Sequence, residues 1–108
     1  MKRGDLITVA LPGEYGTPRL TLVIQSDFFL PHPSLTVLPL TSDLREAPLL
    51  RFTVQADAAN GLRAAAQVMI DKASTIPFAK AQLAIGRLED DIMLQIERLL
   101  ALFLGIVK

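Results

Sequence analysis

The sequence predicts a small, mainly antiparallel β-sheet, curled toward a barrel, with one α-helix at the C-terminal end. Three observations lead there. The chain has 108 residues, enough for one core and one domain spanning residues 1–108. Short runs of Leu, Val, Ile and Thr alternate with clusters of Gly, Pro, Asn and Asp, the pattern of strands joined by turns. Only the last stretch places apolar residues at three- and four-residue spacing over several turns, as a helix requires.

The elements follow in order. Residues 5–11 (Asp-Leu-Ile-Thr-Val-Ala-Leu) read as a first strand built from good β formers. Residues 12–18 hold two prolines and two glycines, a loop longer than a tight hairpin needs and therefore either a functional cover or slack. Arg19 then leads into Leu20-Thr21-Leu22-Val23-Ile24, followed by the polar Gln25-Ser26-Asp27. A short, nearly unbroken apolar run is the signature of a strand buried on both faces. Around it the rest of the chain is organised.

A loop over residues 28–34, with His32 between two prolines, precedes a third strand at 35–40 that ends in Thr41-Ser42-Asp43. A fourth strand spans 49–55. The Asn60-Gly61 pair marks a turn. The second half of residues 63–70 reads as a fifth strand, and 76–80 as one helical turn or a bent strand that starts at proline. The final helix begins at Glu89, Asp90 and Asp91, acids that suit a helix N-terminus. It continues through Ile92, Met93, Ile96, Leu99, Leu100, Phe103 and Leu104, with Gly105 as its cap. From Leu99 to Leu104 it is apolar all round. One face packs on the sheet, and the other calls for a second cover, for which a homodimer is the simplest source.

Composition narrows the function classes. Formal charge is zero, with 11 basic and 11 acidic residues, and the pI is about 6.6. That excludes a broadly basic nucleic-acid wrapper and leaves room for a local basic site. Cysteine is absent and His32 is the single histidine, so disulfides and thiol chemistry are excluded and no metal or other cofactor is expected. Apolar residues make up 51% of the chain and the mean hydropathy is +0.40, high enough to place apolar surface at a subunit or partner interface. The longest apolar run is too short for a membrane span and no signal segment is evident, so a cytoplasmic protein is expected.

Several stretches together resemble the MazF/PemK family of bacterial toxin–antitoxin systems. They are Arg3-Gly4-Asp5, Arg19 ahead of Leu22-Val23-Ile24-Gln25-Ser26-Asp27, Val37-Leu38-Pro39-Leu40-Thr41-Ser42, Asn60-Gly61-Leu62, Asp71-Lys72 and Ile85-Gly86-Arg87-Leu88. The similarity covers nearly the whole chain. Three positions depart from the family pattern: Leu20 and Thr21 stand where Pro and Ala often follow the arginine, and Ser74 lies near a position often held by arginine.

The resemblance implies an SH3-like barrel that dimerises, cleaves single-stranded mRNA at specific sequences without a metal, and is inhibited by a cognate antitoxin. It also places the family's catalytic arginine on Arg19 and its threonine on Thr41. Cleavage of RNA needs a base for the 2′-OH, an acid for the leaving 5′-oxygen and donors for the charge that builds on phosphate. Arg19 stays charged, so it is no general base, but its planar fork suits a phosphate. Thr41 offers a hydroxyl to a phosphate oxygen or the 2′-OH, or else caps its own turn.

Substrate contacts are expected from Ser42, from Gln25 with Ser26 at base edges, and from Tyr15 as a stacking platform or a loop anchor. Asp71 accepts a proton, holds Arg19, or serves a turn. Arg51, Arg63, Arg87 and Lys72 are candidates to pair with acids of an antitoxin tail. A second reading comes from likeness to the CcdB toxins, in which the chain poisons DNA gyrase through Leu104-Gly105-Ile106 without catalysis.

Overall fold

A computed structural model describes residues 1–10 and 18–107 of the chain. Among these residues seven strands and one α-helix follow one another: β1 (Asp5–Val9), β2 (Arg19–Val23), β3 (Ser34–Thr41), β4 (Arg51–Val54), β5 (Ala66–Met69), β6 (Ser74–Pro77), β7 (Ala81–Arg87) and α1 (Asp90–Phe103). The strands pair antiparallel in the order β4-β5-β3-β2-β1-β7, with β6 also on β3. The expected curled sheet with a C-terminal helix is therefore present, and it stops short of a closed barrel.

The longest strand, β3, positions everything else. One edge pairs with β2, setting Thr21 against Pro39, Leu22 against Leu38 and Val23 against Val37. The other edge is shared. β6 takes Ser34 to Val37, and β5 takes Leu40 and Thr41. The handover falls at Leu38 and Pro39, so a proline with no N–H to give sits where that edge changes partner.

Alternate residues of β1, β2 and β3 feed two cores. Leu6, Leu22, Leu38 and Leu40 pack with Met93 and Ile96 of α1. Ile7, Val9, Val23 and Val37 pack with Leu35 and Ile76 on the other side. Burial on both faces explains why these strands read as unbroken apolar runs.

Arg3-Gly4-Asp5 staples the N-terminus to this frame. The Arg3 N–H donates to Asp27 Oδ1 at 2.7 Å, its Nε to the Ile24 carbonyl at 3.2 Å, and its guanidinium pairs with Glu97 of α1 at 3.0 Å.

The structure adds one strand that the pattern does not announce. β7 is rich in Ala and Gly, weak β formers, and most of its residues are exposed. What holds it is backbone contact. It pairs with β1 through two register shifts, and the Arg87 N–H reaches the Ala59 carbonyl at 3.0 Å. The Asn60-Gly61 turn lies against it. Asn60 is buried, accepts from the amides of Asp57 and Leu62, and donates to the Gln55 carbonyl. The turn is a packed anchor within the long β4–β5 connection, not a two-residue hairpin.

Elsewhere boundaries shift slightly. Leu49 and Leu50 belong to a turn ahead of β4, and residues 76–80 divide between the end of β6 and a short 3₁₀ turn at Phe78–Lys80.

α1 ends as its sequence suggests. Gly105 adopts φ 76°, the Ile106 N–H returns to the Ala101 carbonyl at 2.9 Å, and the Gly105 N–H to Leu102 at 3.1 Å, a Schellman cap. A Cβ on Gly105 would meet no atom within 4 Å, so a substitution there is penalised by conformation alone. Gly105→Ala is expected to cost about 1 kcal/mol, which lowers the melting midpoint by roughly 4–8 °C in a chain of this size. A thermal melt followed by circular dichroism checks it.

Candidate active site

Antiparallel pairing brings the start of β2, the end of β3 and the start of β5 to one end of the sheet. A groove of about 530 Å³ opens there, lined by Arg19, Leu20, Leu40, Thr41, Ser42, Leu62 and residues 63–66. Extending the β2–β3 register two residues beyond the Thr21–Pro39 pair sets Arg19 across from Thr41. Residues opposite each other on antiparallel strands point to the same face. The two side chains therefore share the groove because of a register fixed by the buried residues further along β2 and β3.

Arg19 is half-buried, and its Nε donates to the Leu40 carbonyl at 3.2 Å. That bond holds the plane of the guanidinium against the groove wall. Thr41 Oγ1 accepts the Asp43 N–H at 3.1 Å, so the hydroxyl caps its turn as expected and still has its own proton to donate. Ser42 is exposed on the same rim. Among the described residues that line the groove, both charged ones are arginines, Arg19 and Arg63. Two guanidinium groups on one groove of an otherwise neutral chain suit an anionic ligand.

Other candidates from the sequence lie elsewhere, and so does the single histidine. Gln25 follows β2 at the opposite end of the sheet, and its amide is consumed by structure. It donates to the Phe29 and Ser34 carbonyls and accepts the Thr36 N–H at 2.9 Å. Ser26 accepts the Phe28 N–H at 3.2 Å, capping the short 3₁₀ turn Asp27–Phe29. Asp71 stands beyond the far end of β5, in a 3₁₀ turn, 3.8 Å from the Lys72 ammonium. His32 is exposed on the loop ahead of β3, where its Nδ1 accepts the Ser34 N–H at 3.0 Å. None of these four lines the groove. Tyr15 lies outside the described residues.

Leu20 and Ser74, where the sequence departs from the family pattern, differ in consequence. Leu20 is part of the groove wall. Ser74 starts β6 against Val37, and its hydroxyl donates to the Lys72 carbonyl at 3.1 Å.

From the sequence, Arg63 is expected only as a contact for an antitoxin tail. It reaches the groove because it lies three residues ahead of β5, whose start is beside the end of β3, a placement with no signal in the linear sequence.

Comparison with known proteins adds three findings. The profile of a family described as PemK-like, MazF-like toxin of type II toxin-antitoxin system matches residues 2–104. Over 107 residues the chain is 42% identical to the probable endoribonuclease MazF of Mycolicibacterium smegmatis, covering 98% of each protein. Two solved structures share the fold. One is an endoribonuclease in complex with its cognate antitoxin from a mycobacterial species, with TM-score 0.80 and 18% identity over 100% of this chain and 98% of that one. The other is the toxin MazF-mt6 of Mycobacterium tuberculosis, with TM-score 0.77 and 24% identity over 94% and 96%.

Proposed function

Because the chain belongs to the PemK-like, MazF-like family of type II toxins, we propose that it is a toxin endoribonuclease that cuts single-stranded mRNA at the Arg19–Thr41 groove. One observation carries the assignment of the site. Arg19 and Thr41 line the same groove, as a shared scissile phosphodiester requires.

The chemistry follows from what the two groups are. Attack of the 2′-oxygen on phosphorus forms a P–O2′ bond as the 2′-OH proton passes to water; the P–O5′ bond breaks as the leaving 5′-oxygen takes a proton from water, and negative charge grows on the non-bridging oxygens between the two events. A guanidinium already fixed by Leu40 meets that charge without reorganising, which is where preorganised donors give their largest benefit. Thr41 donates its hydroxyl proton to a phosphate oxygen or orients the 2′-OH. No metal is required by this scheme, since a cation is built into the wall. Incubating the purified protein with a long RNA in EDTA tests the reading. Discrete fragments are expected, and intact RNA at high protein excess overturns it.

Thr41 gives a finer check. Thr41→Ser keeps the hydroxyl and is expected to stay within a few-fold of wild type. Thr41→Val removes one charge-assisted bond and is expected to lower kcat about 10- to 100-fold. Its lost bond to the Asp43 amide lowers stability by about 1 kcal/mol, which a urea titration separates from the rate.

We place the protein in the cytoplasm as a homodimer held by a cognate antitoxin. Leu83 on β7 is 91% exposed, and Leu102, Phe103, Leu104, Ile106 and Val107 at the end of α1 are also exposed. Such apolar surface supports both a second copy and a tail that folds on contact. No helix among the described residues is long and apolar enough to cross a membrane. The family match favours the nuclease over a gyrase poison. Leu104-Gly105-Ile106, the stretch that suggested gyrase, closes the helix.

A further inference from the structure

The groove has two cationic walls, and they are built differently. Arg19 is half-buried and tied by its Nε to Leu40. Arg63, on the β5 side, is exposed and makes no hydrogen bond or ion pair with any described residue. Resting on the nuclease reading above, we propose that Arg63 is a phosphate-binding residue that grips the RNA backbone beside the scissile linkage and sets affinity, not rate.

The distinction is physical. A guanidinium held in place before substrate arrives loses little entropy and acts on charge as it develops. A solvated arginine must be ordered when the ligand binds, so it contributes to ground state and transition state alike. Uniform binding of that kind lowers KM and leaves kcat alone. The setting of Arg63 fits a polyanion. Ala64, Ala65 and Ala66 follow it along the groove floor, and side chains that short let a phosphate chain lie close to the backbone. A second cation is also needed, because a chain of zero net charge has no general field to hold RNA.

The test pairs cleavage with binding of an uncleavable single-stranded RNA carrying 2′-O-methyl groups, read by fluorescence anisotropy over a salt series. Arg63→Ala is expected to raise KM and the dissociation constant about five- to tenfold, with kcat within twofold. The slope of log affinity against log salt should fall by about 0.7, one phosphate contact fewer. Arg63→Lys should restore most of both. Because Arg63 is exposed and makes no bond to the described residues, the variant melts with wild type. An unchanged dissociation constant and salt slope overturn the assignment, and so does a loss confined to kcat. Wild-type protein that binds the methylated strand yet cuts no RNA removes the nuclease reading and leaves the role of Arg63 in binding standing. Wild-type protein that does not bind it removes both.

Discussion

Replacing Arg19 with alanine is expected to lower kcat for RNA cleavage by about 10²–10³-fold, the usual consequence of deleting a preorganised donor from a developing oxyanion. KM should change less, because the charge that Arg19 meets is largest in the transition state. Arg19→Lys is expected to recover little. Lysine keeps the charge, but it cannot present a planar fork or reproduce the Nε bond to Leu40. Single-turnover cleavage of one defined RNA, with melting curves for each variant, measures all of this. A rate for the alanine variant within threefold of wild type would remove Arg19 from the chemistry.

The second large effect concerns the fold. Gly86→Ala is expected to destabilise the protein by about 3 kcal/mol or more, a large share of the stability of a small domain. A Cβ at position 86 would lie 2.3 Å from the Asn60 carbonyl carbon, 2.4 Å from its oxygen and 2.5 Å from the Ala59 oxygen. These are backbone atoms of a turn that is itself pinned by the buried Asn60 amide, so they cannot swing aside as the tip of a side chain would. From the other side, a Cβ on Gly61 would meet the Ile85 oxygen at 2.2 Å. The two glycines form one close crossing of the turn over β7. A urea titration of Gly86→Ala is the check, and a midpoint equal to that of wild type would show that the crossing can open at no cost. The contrast with Gly105 is direct: there the conformation needs glycine, and here the space does.

Much of the fold was legible because burial leaves a pattern. β1, β2 and β3 are covered on both faces, and their apolar runs could be read without any partner in view. α1 could be read from its spacing, from Asp90 and Asp91, and from Gly105. β7 could not, because its stability comes from Asn60, Gly61 and Gly86 in contact across the chain, and not from the propensity of its own residues. The groove divides in the same way. Arg19 and Thr41 stood out through family resemblance, and their meeting follows from the β2–β3 register. Gln25 and Asp71 carried the right functional groups, but strand direction puts them at the other end of the sheet, where local hydrogen bonds or ion pairs engage them. Arg63 was passed over as a groove residue because nothing in a linear reading says that β5 starts beside the end of β3.

The two-sided pairing of β3 has a consequence for synthesis. The end of β3 gains its second neighbour only when residues 66–69 arrive as β5, and the crossing that pins β7 comes later still. A nascent chain on the ribosome therefore carries Arg19 and Thr41 for most of translation without a groove to hold them in. On the proposed assignment of the site, a product that ends before residue 66 is expected to lack the groove and to cut no RNA, so harm to the translating cell would wait for the later strands.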